Sequence, residues 1–151
     1  MIQVIDQDLI SSALQEGTQL VTSDGSGING DTLADIAAKA TELRLSFKNV
    51  LEIDNLQGFH ALRTLCLDNN IIKCMKNLDH LVNLTWLDLS FNRISKVTGL
   101  DRLEKLTDLS LFNNMISEVN GLGRCKNLHC LSLGNNNISA LKDIVLSLIH
   151  I

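Results

Sequence analysis

One pattern recurs in this sequence at an interval that never slips. Its copies begin at Leu62, Leu84, Leu106 and Leu128, and a weaker first copy places Ala40 at the same point, each 22 residues from the next. The clearest copy reads Leu84-Thr85-Trp86-Leu87-Asp88-Leu89-Ser90-Phe91-Asn92-Arg93-Ile94, in general form L-x-x-L-x-L-x-x-N-x-I. A fixed period in the twenties is that of a solenoid. No single repeat buries its apolar face alone, so neighbouring repeats stack into one continuous core.

Within each copy the leucines alternate. Leu65 and Leu67, Leu87 and Leu89, Leu109 and Leu111, and Leu131 and Leu133 are spaced by two, so a short strand aims both members of a pair into the core and the residue between them outwards. Strands of successive copies stack in parallel, about 4.8 Å apart, and the chain returns over the other face between them. Apolar residues three apart mark that return, as in Val97, Leu100, Leu103 and Leu106, and in Val119, Leu122, Cys125 and Leu128. This spacing predicts 3₁₀ or short helical turns. Asn70, Asn92, Asn114 and Asn136 close the strands. A buried carboxamide there can bond backbone groups of its own and the neighbouring coil, so these four form a structural ladder. Lys48 stands in the asparagine position of the first copy and has no acceptor, which marks that copy as degenerate.

The ends differ from the repeats. Residues 1–38 contain Asp6, Asp8, Glu16, Asp24, Asp31 and Asp35 and no Lys or Arg. Over 4–16, Ile5, Leu9, Ile10, Ala13 and Leu14 share one stripe of a predicted amphipathic helix, with Asp6 and Asp8 near its positive end. A solenoid needs an atypical element over the apolar end of its first coil, and this helix suits that task; a partner-binding arm is the alternative. Residues 17–31 are rich in turn formers and read as a linker. Its Gly-x-Gly has neither the preceding strand nor the lysine of a phosphate-binding loop. Thr32 or Asp31 caps a short helix running to about Lys39. The domain organisation is therefore 1–39 leader, linker and cap, then 40–144 five repeats. Beyond them, 145–151 reads as a truncated or artefactual tail, because Ser147 and His150 fall where leucine is due.

Outward strand positions line up as columns on the concave face. The first is Glu42, Thr64, Trp86, Asp108 and Cys130; the second Arg44, Cys66, Asp88, Ser110 and Ser132; the third Ser46, Asp68, Ser90, Phe112 and Gly134. Trp86 thus lies in mid-face with Asp68, Asp88 and Asp108 close by. An exposed Trp is the residue type that anchors interfaces, and concave solenoid surfaces bind proteins. The candidate protein-binding face is Trp86, Asp68, Asp88, Asp108, Phe112 and Arg44, and its partner presents Lys or Arg beside an apolar anchor. The alternative is a Trp that covers its neighbours among solvated acids. Phe47 and Phe91, one position further on, either widen this patch or pack over the asparagine turn.

Catalytic and metal chemistry find no support. The acids stand on an open sheet with no histidine in their columns and no apolar pocket to tune them. His60 and His80 fall on the return face, and His129 lacks a partner at nucleophile spacing. Cys125 shares the column of Phe59, Leu81 and Leu103 and fills core, while Cys66 and Cys130 are too far apart to bridge. No cofactor is expected. The net charge of -4 suggests neither a nucleic-acid footprint nor a polybasic membrane surface. No apolar run reaches the length of a membrane span and the amino terminus lacks secretory features, so a cytosolic or nuclear protein with reduced thiols is expected.

The 22-residue repeat resembles the leucine-rich repeat family of the phosphatase-regulating type. Its wording, in Ile53-Asp54-Asn55-Leu56, Leu67-Asp68-Asn69-Asn70-Ile71-Ile72, Trp86-Leu87-Asp88-Leu89-Ser90-Phe91-Asn92, Leu109-Ser110-Leu111-Phe112-Asn113-Asn114 and Leu131-Ser132-Leu133-Gly134-Asn135-Asn136, is similar to leucine-rich subunits of the axonemal dynein regulatory complex, as is the leader Val4-Ile5-Asp6-Gln7-Asp8-Leu9. The resemblance implies an α/β leucine-rich repeat solenoid, a horseshoe with a parallel sheet on the concave face. It further implies a non-enzymatic scaffold in the axoneme of cilia or flagella, with other subunits of that complex as partners. A regulatory subunit of protein phosphatase 1 and a leucine-rich ribonucleoprotein subunit are the alternatives. Members of that axonemal group continue into long coiled coils, which this chain lacks.

Overall fold

The computed structural model describes residues 3–15 and 32–139. The linker at 17–31, the tail at 145–151 and the Leu14 side chain lie outside the described residues.

The chain begins with β1 (Gln3–Val4) and α1 (Gln7–Gln15). Asp6 starts that helix by accepting the Leu9 amide on Oδ1 at 2.8 Å, the N-cap role of a short acidic side chain. After the linker comes α2 (Leu33–Lys39). There Thr32 and Asp35 form a capping box, each side chain accepting the other's backbone amide.

Five coils follow, each opening with a strand: β2 (Glu42–Arg44), β4 (Thr64–Cys66), β5 (Trp86–Asp88), β7 (Asp108–Ser110) and β9 (Cys130–Ser132). They form one parallel sheet in the order β2-β4-β5-β7-β9. Its register pairs Leu43, Leu65, Leu87, Leu109 and Leu131 side by side. Equal coil lengths are the cause. With 22 residues in every coil, a leucine that points inwards once points inwards in each, because a slip of one residue would turn the whole set outwards.

The return path is made of tight turns rather than helices. Leu81 and Leu84 donate to Leu78 and Leu81 through i→i+3 bonds of 2.9 Å, and the pairs at Leu103 and Leu106 and at Cys125 and Leu128 repeat this. These are the bonds of a 3₁₀ turn, and none is extended into a continuous helix. Beside them run short strands that the three-residue spacing did not predict. β3 (Val50–Glu52) pairs with β1, and β6 (Lys96–Val97) pairs with β8 (Glu118–Val119).

A single apolar core runs the length of the stack, from Ile5 in the leader to Cys125. Ile5, Leu9, Ile10 and Ala13 of α1 are buried in it, as is Ala37 of α2. The leader thus seals the first coil, and Asn55 ties it down by donating from Nδ2 to the Ile5 carbonyl at 2.7 Å. At the far end of the described chain Leu128, Leu131, Leu133 and Ile138 are only partly buried.

The asparagines hold the coils at their turns. Asn92 Nδ2 donates to the carbonyls of Leu67 at 2.9 Å and Leu89 at 3.0 Å, one in the previous coil and one in its own. Asn70, Asn114 and Asn136 repeat this arrangement. In the degenerate coil Lys48 uses its backbone instead, donating its amide to Asn70 Oδ1 at 3.1 Å.

Candidate protein-binding site

Parallel register carries the outward columns into space as the spacing implied. Glu42, Thr64, Trp86, Asp108 and Cys130 are paired neighbours, and so are Arg44, Cys66, Asp88, Ser110 and Ser132. Of these, Glu42, Arg44, Thr64, Cys66, Trp86, Asp88 and Asp108 line a shallow bay of about 670 Å³ that also reaches Ser46, Phe47 and Asp68. Trp86 stands in it 45% exposed, a large apolar surface that nothing in the described chain covers. Four acids, Glu42, Asp68, Asp88 and Asp108, face one base, Arg44, whose guanidinium pairs with Glu42.

Neighbouring hydroxyls hold the three aspartates. Ser46 Oγ donates to Asp68 Oδ1 at 2.5 Å, and Asn69 Nδ2 to its other oxygen at 2.8 Å. Asp88 Oδ1 accepts both the amide and the hydroxyl of Ser90, at 2.9 and 2.6 Å. Thr107 Oγ1 donates to Asp108 Oδ2 at 2.7 Å. These bonds fix the carboxylates in place. Ser90 and Thr107 were not apparent as positioning residues in the sequence, although a Ser or Thr one or two residues from an Asp is the signal for such local bonds.

Two column positions differ from their neighbours in surroundings. Cys66 occupies an outward position but is buried, because a short side chain between Arg44 and Asp88 is shaded by both. Burial first, and the nearby Asp88, Asp68 and Glu42, push its thiol up to about 11 against the opposing pull of Arg44. Phe112 does not line the bay with Trp86. It leans instead over Gly134, where an added Cβ would come within 3.0 Å of the ring, and meets Phe91 edge to face with centroids 5.6 Å apart. Phe47 and Phe91 are exposed, so they widen the apolar surface rather than close the turn.

The histidines lie elsewhere. His80 Nε2 is 2.8 Å from the Leu56 carbonyl on the return face, and His129 Nδ1 contacts the Asn127 carbonyl. Cys125 is fully buried, its thiol directed at the Leu100 carbonyl. No helix among the described residues is long and apolar enough to cross a membrane.

A stack of 22-residue coils with inward leucines, an asparagine ladder and a parallel concave sheet is a leucine-rich repeat solenoid, the architecture of a protein-interaction scaffold. The family model for leucine-rich repeats in two copies matches residues 82–124 and again 104–146. Among solved structures, an internalin (InlF) of Listeria monocytogenes aligns at TM-score 0.72 and 26% identity, over 91% of this chain and 38% of that one. Internalin C2 of the same organism aligns at TM-score 0.66 and 30% identity, over 75% and 51%. The Drosophila melanogaster SNF/U2A' complex aligns at TM-score 0.64 and 25% identity, over 91% of this chain and 72% of that one. The chain spans less than two thirds of either internalin. No curated protein sequence matches it.

Proposed function

We propose that this chain is a non-catalytic docking scaffold that receives a basic, apolar-anchored segment of another protein in its concave bay. The observation that carries this reading is Trp86, half exposed between carboxylates that hydroxyl donors hold in place. Ordered acids on a rigid sheet desolvate at little further entropic cost, and a Trp in mid-face supplies the contact area of an interface anchor.

The setting we propose is the nexin-dynein regulatory complex of the axoneme, in the role of its subunit 3. There the solenoid would tie other link subunits into the structure that regulates ciliary motility. Support comes from the wording of the repeats at Trp86–Asn92 and Leu109–Asn114 and of the leader at Val4–Leu9.

Affinity purification of the tagged full-length protein from ciliated cells, read by mass spectrometry, tests the setting. Enrichment of the other nexin-link subunits is the expected result. A phosphatase catalytic subunit or a ribonucleoprotein particle, with no axonemal proteins, would overturn it.

A further inference from the structure

One backbone position recurs in every coil with the sign of φ reversed. It immediately precedes the ladder position, held by Lys48 in the first coil and by asparagine in the others, and is occupied by Phe47, Asn69, Phe91, Asn113 and Asn135, all with φ between 54° and 59°. Asparagine tolerates this left-handed conformation and here uses it. Asn69 bonds Asp68, and Asn135 bonds Asn113. A phenylalanine gains no such bond and strains its Cβ against the backbone, which makes a bulky residue at positive φ an outlier. Burial does not compensate, since Phe47 is 73% exposed and Phe91 45%. Phe91 recovers part of that cost in its edge-to-face contact with Phe112, whereas packing offers no such return to Phe47, which is largely exposed.

Phe47 lines the bay, and Phe91 stands two coils further along the same row of positions. The parallel ladder continues past the strand ends through these positions, with Phe47, Asn69, Phe91 and Asn113 donating to the carbonyls of Asp68, Ser90, Phe112 and Gly134. Phe47 and Phe91 consequently lie two strand spacings apart, about 9.6 Å, with Asn69 and the acidic Asp68 between them. Phe112 extends the apolar surface beyond Phe91.

We infer that this row is a second, specificity-determining part of the docking surface and that its occupant is an amphipathic helix of the partner, lying across the strands. The inference rests on the docking function proposed above and adds the form of the ligand. Apolar side chains seven residues apart on a helix are separated by about 10.5 Å along its axis, close to the spacing of the two phenylalanines. Same-face residues of an extended segment repeat at about 6.7 or 13.4 Å and fit it poorly. Basic side chains three or four residues after the first apolar anchor then fall over Asp68 and the bay, where acids outnumber bases. The strained phenylalanines are kept for recognition.

The test uses the full chain and a synthetic helix-forming peptide with leucines seven residues apart and arginines between them, read by fluorescence anisotropy and thermal unfolding. Control peptides carry glutamate for arginine or serine for leucine. The peptide should bind, and both controls should bind at least about tenfold more weakly. Phe47→Asn and Phe91→Asn should each weaken binding about fivefold to tenfold; Phe47→Asn should also raise Tm by about 2–4 °C as strain is released, and Phe91→Asn should leave Tm near the wild-type value, since strain relief offsets the lost contact with Phe112. Wild-type affinity in these variants would overturn the role of this row. If Trp86→Ala still lost binding, the bay would stand without it. A fall in Tm would make the phenylalanines structural and equally sink the inference. No binding of any peptide to the wild type would exclude a helical occupant.

Discussion

Asn92 accepts the amide of Ile72 on Oδ1 at 2.9 Å, from 20 residues earlier in the chain, and so closes the turn of the previous coil. The same carboxamide donates to carbonyls on both sides of the coil boundary. Asn92→Leu would leave these buried groups unpaired. An orphaned buried polar group costs about 1–3 kcal/mol, and more than one is orphaned here. A loss of at least about 3 kcal/mol in chemical denaturation is expected; a change under about 1 kcal/mol would mean that water replaces the carboxamide.

Leu87 and Leu109 are adjacent in the sheet and essentially inaccessible. Leu87→Ala or Leu109→Ala should each cost roughly 2–5 kcal/mol, through lost burial and the cavity left behind. An unchanged denaturation midpoint would remove them from the core.

Gly99 and Gly121 occupy one turn position in successive coils, with φ of 73° and 76°. They differ in their surroundings. A Cβ on Gly99 would come within 2.8 Å of the Met75 carbonyl oxygen, whereas on Gly121 the nearest atom is 3.5 Å away. Both Ala variants force an L side chain into the left-handed region, costing about 1–2 kcal/mol. Gly99→Ala should cost more, by at least about 1 kcal/mol, because backbone has to move. Equal midpoints for the two variants would refute this.

Burial pushes the Cys125 thiol up from 9.0 to about 11, with Asp101 adding to the effect. The folded chain therefore holds this proton when the unfolded chain has released it. The associated stability is complete below pH 9 and is lost as pH rises from 9 towards 11. Denaturation series on wild type and Cys125→Ala should show a shallower alkaline loss in the variant. Parallel pH profiles would show that this thiol is not linked to folding.

Trp86 is exposed, so removing it should spare the fold. Trp86→Ala is expected to weaken partner binding by more than about 1 kcal/mol with an unchanged Tm. Wild-type affinity in titration calorimetry would overturn the role of the bay.

The sequence by itself determined the stack: constant repeat length and period-2 leucines leave only one register that buries every inward residue, so the columns through Trp86, Asp88 and Asp108 could be drawn before any coordinates. The asparagine ladder was legible for the same reason, since one polar residue recurring among core positions has to satisfy backbone. Tertiary structure decided what local pattern does not encode. The sign of φ at Phe47 and Phe91 is imposed by the ladder around them, against the preference of phenylalanine itself. The burial of Cys66 depends on Arg44 and Asp88, which lie in different coils from each other. The direction of Phe112 depends on the missing side chain of Gly134 in the next coil. Each is settled between residues about one coil apart, where the shape of a neighbour outweighs a residue's own propensity.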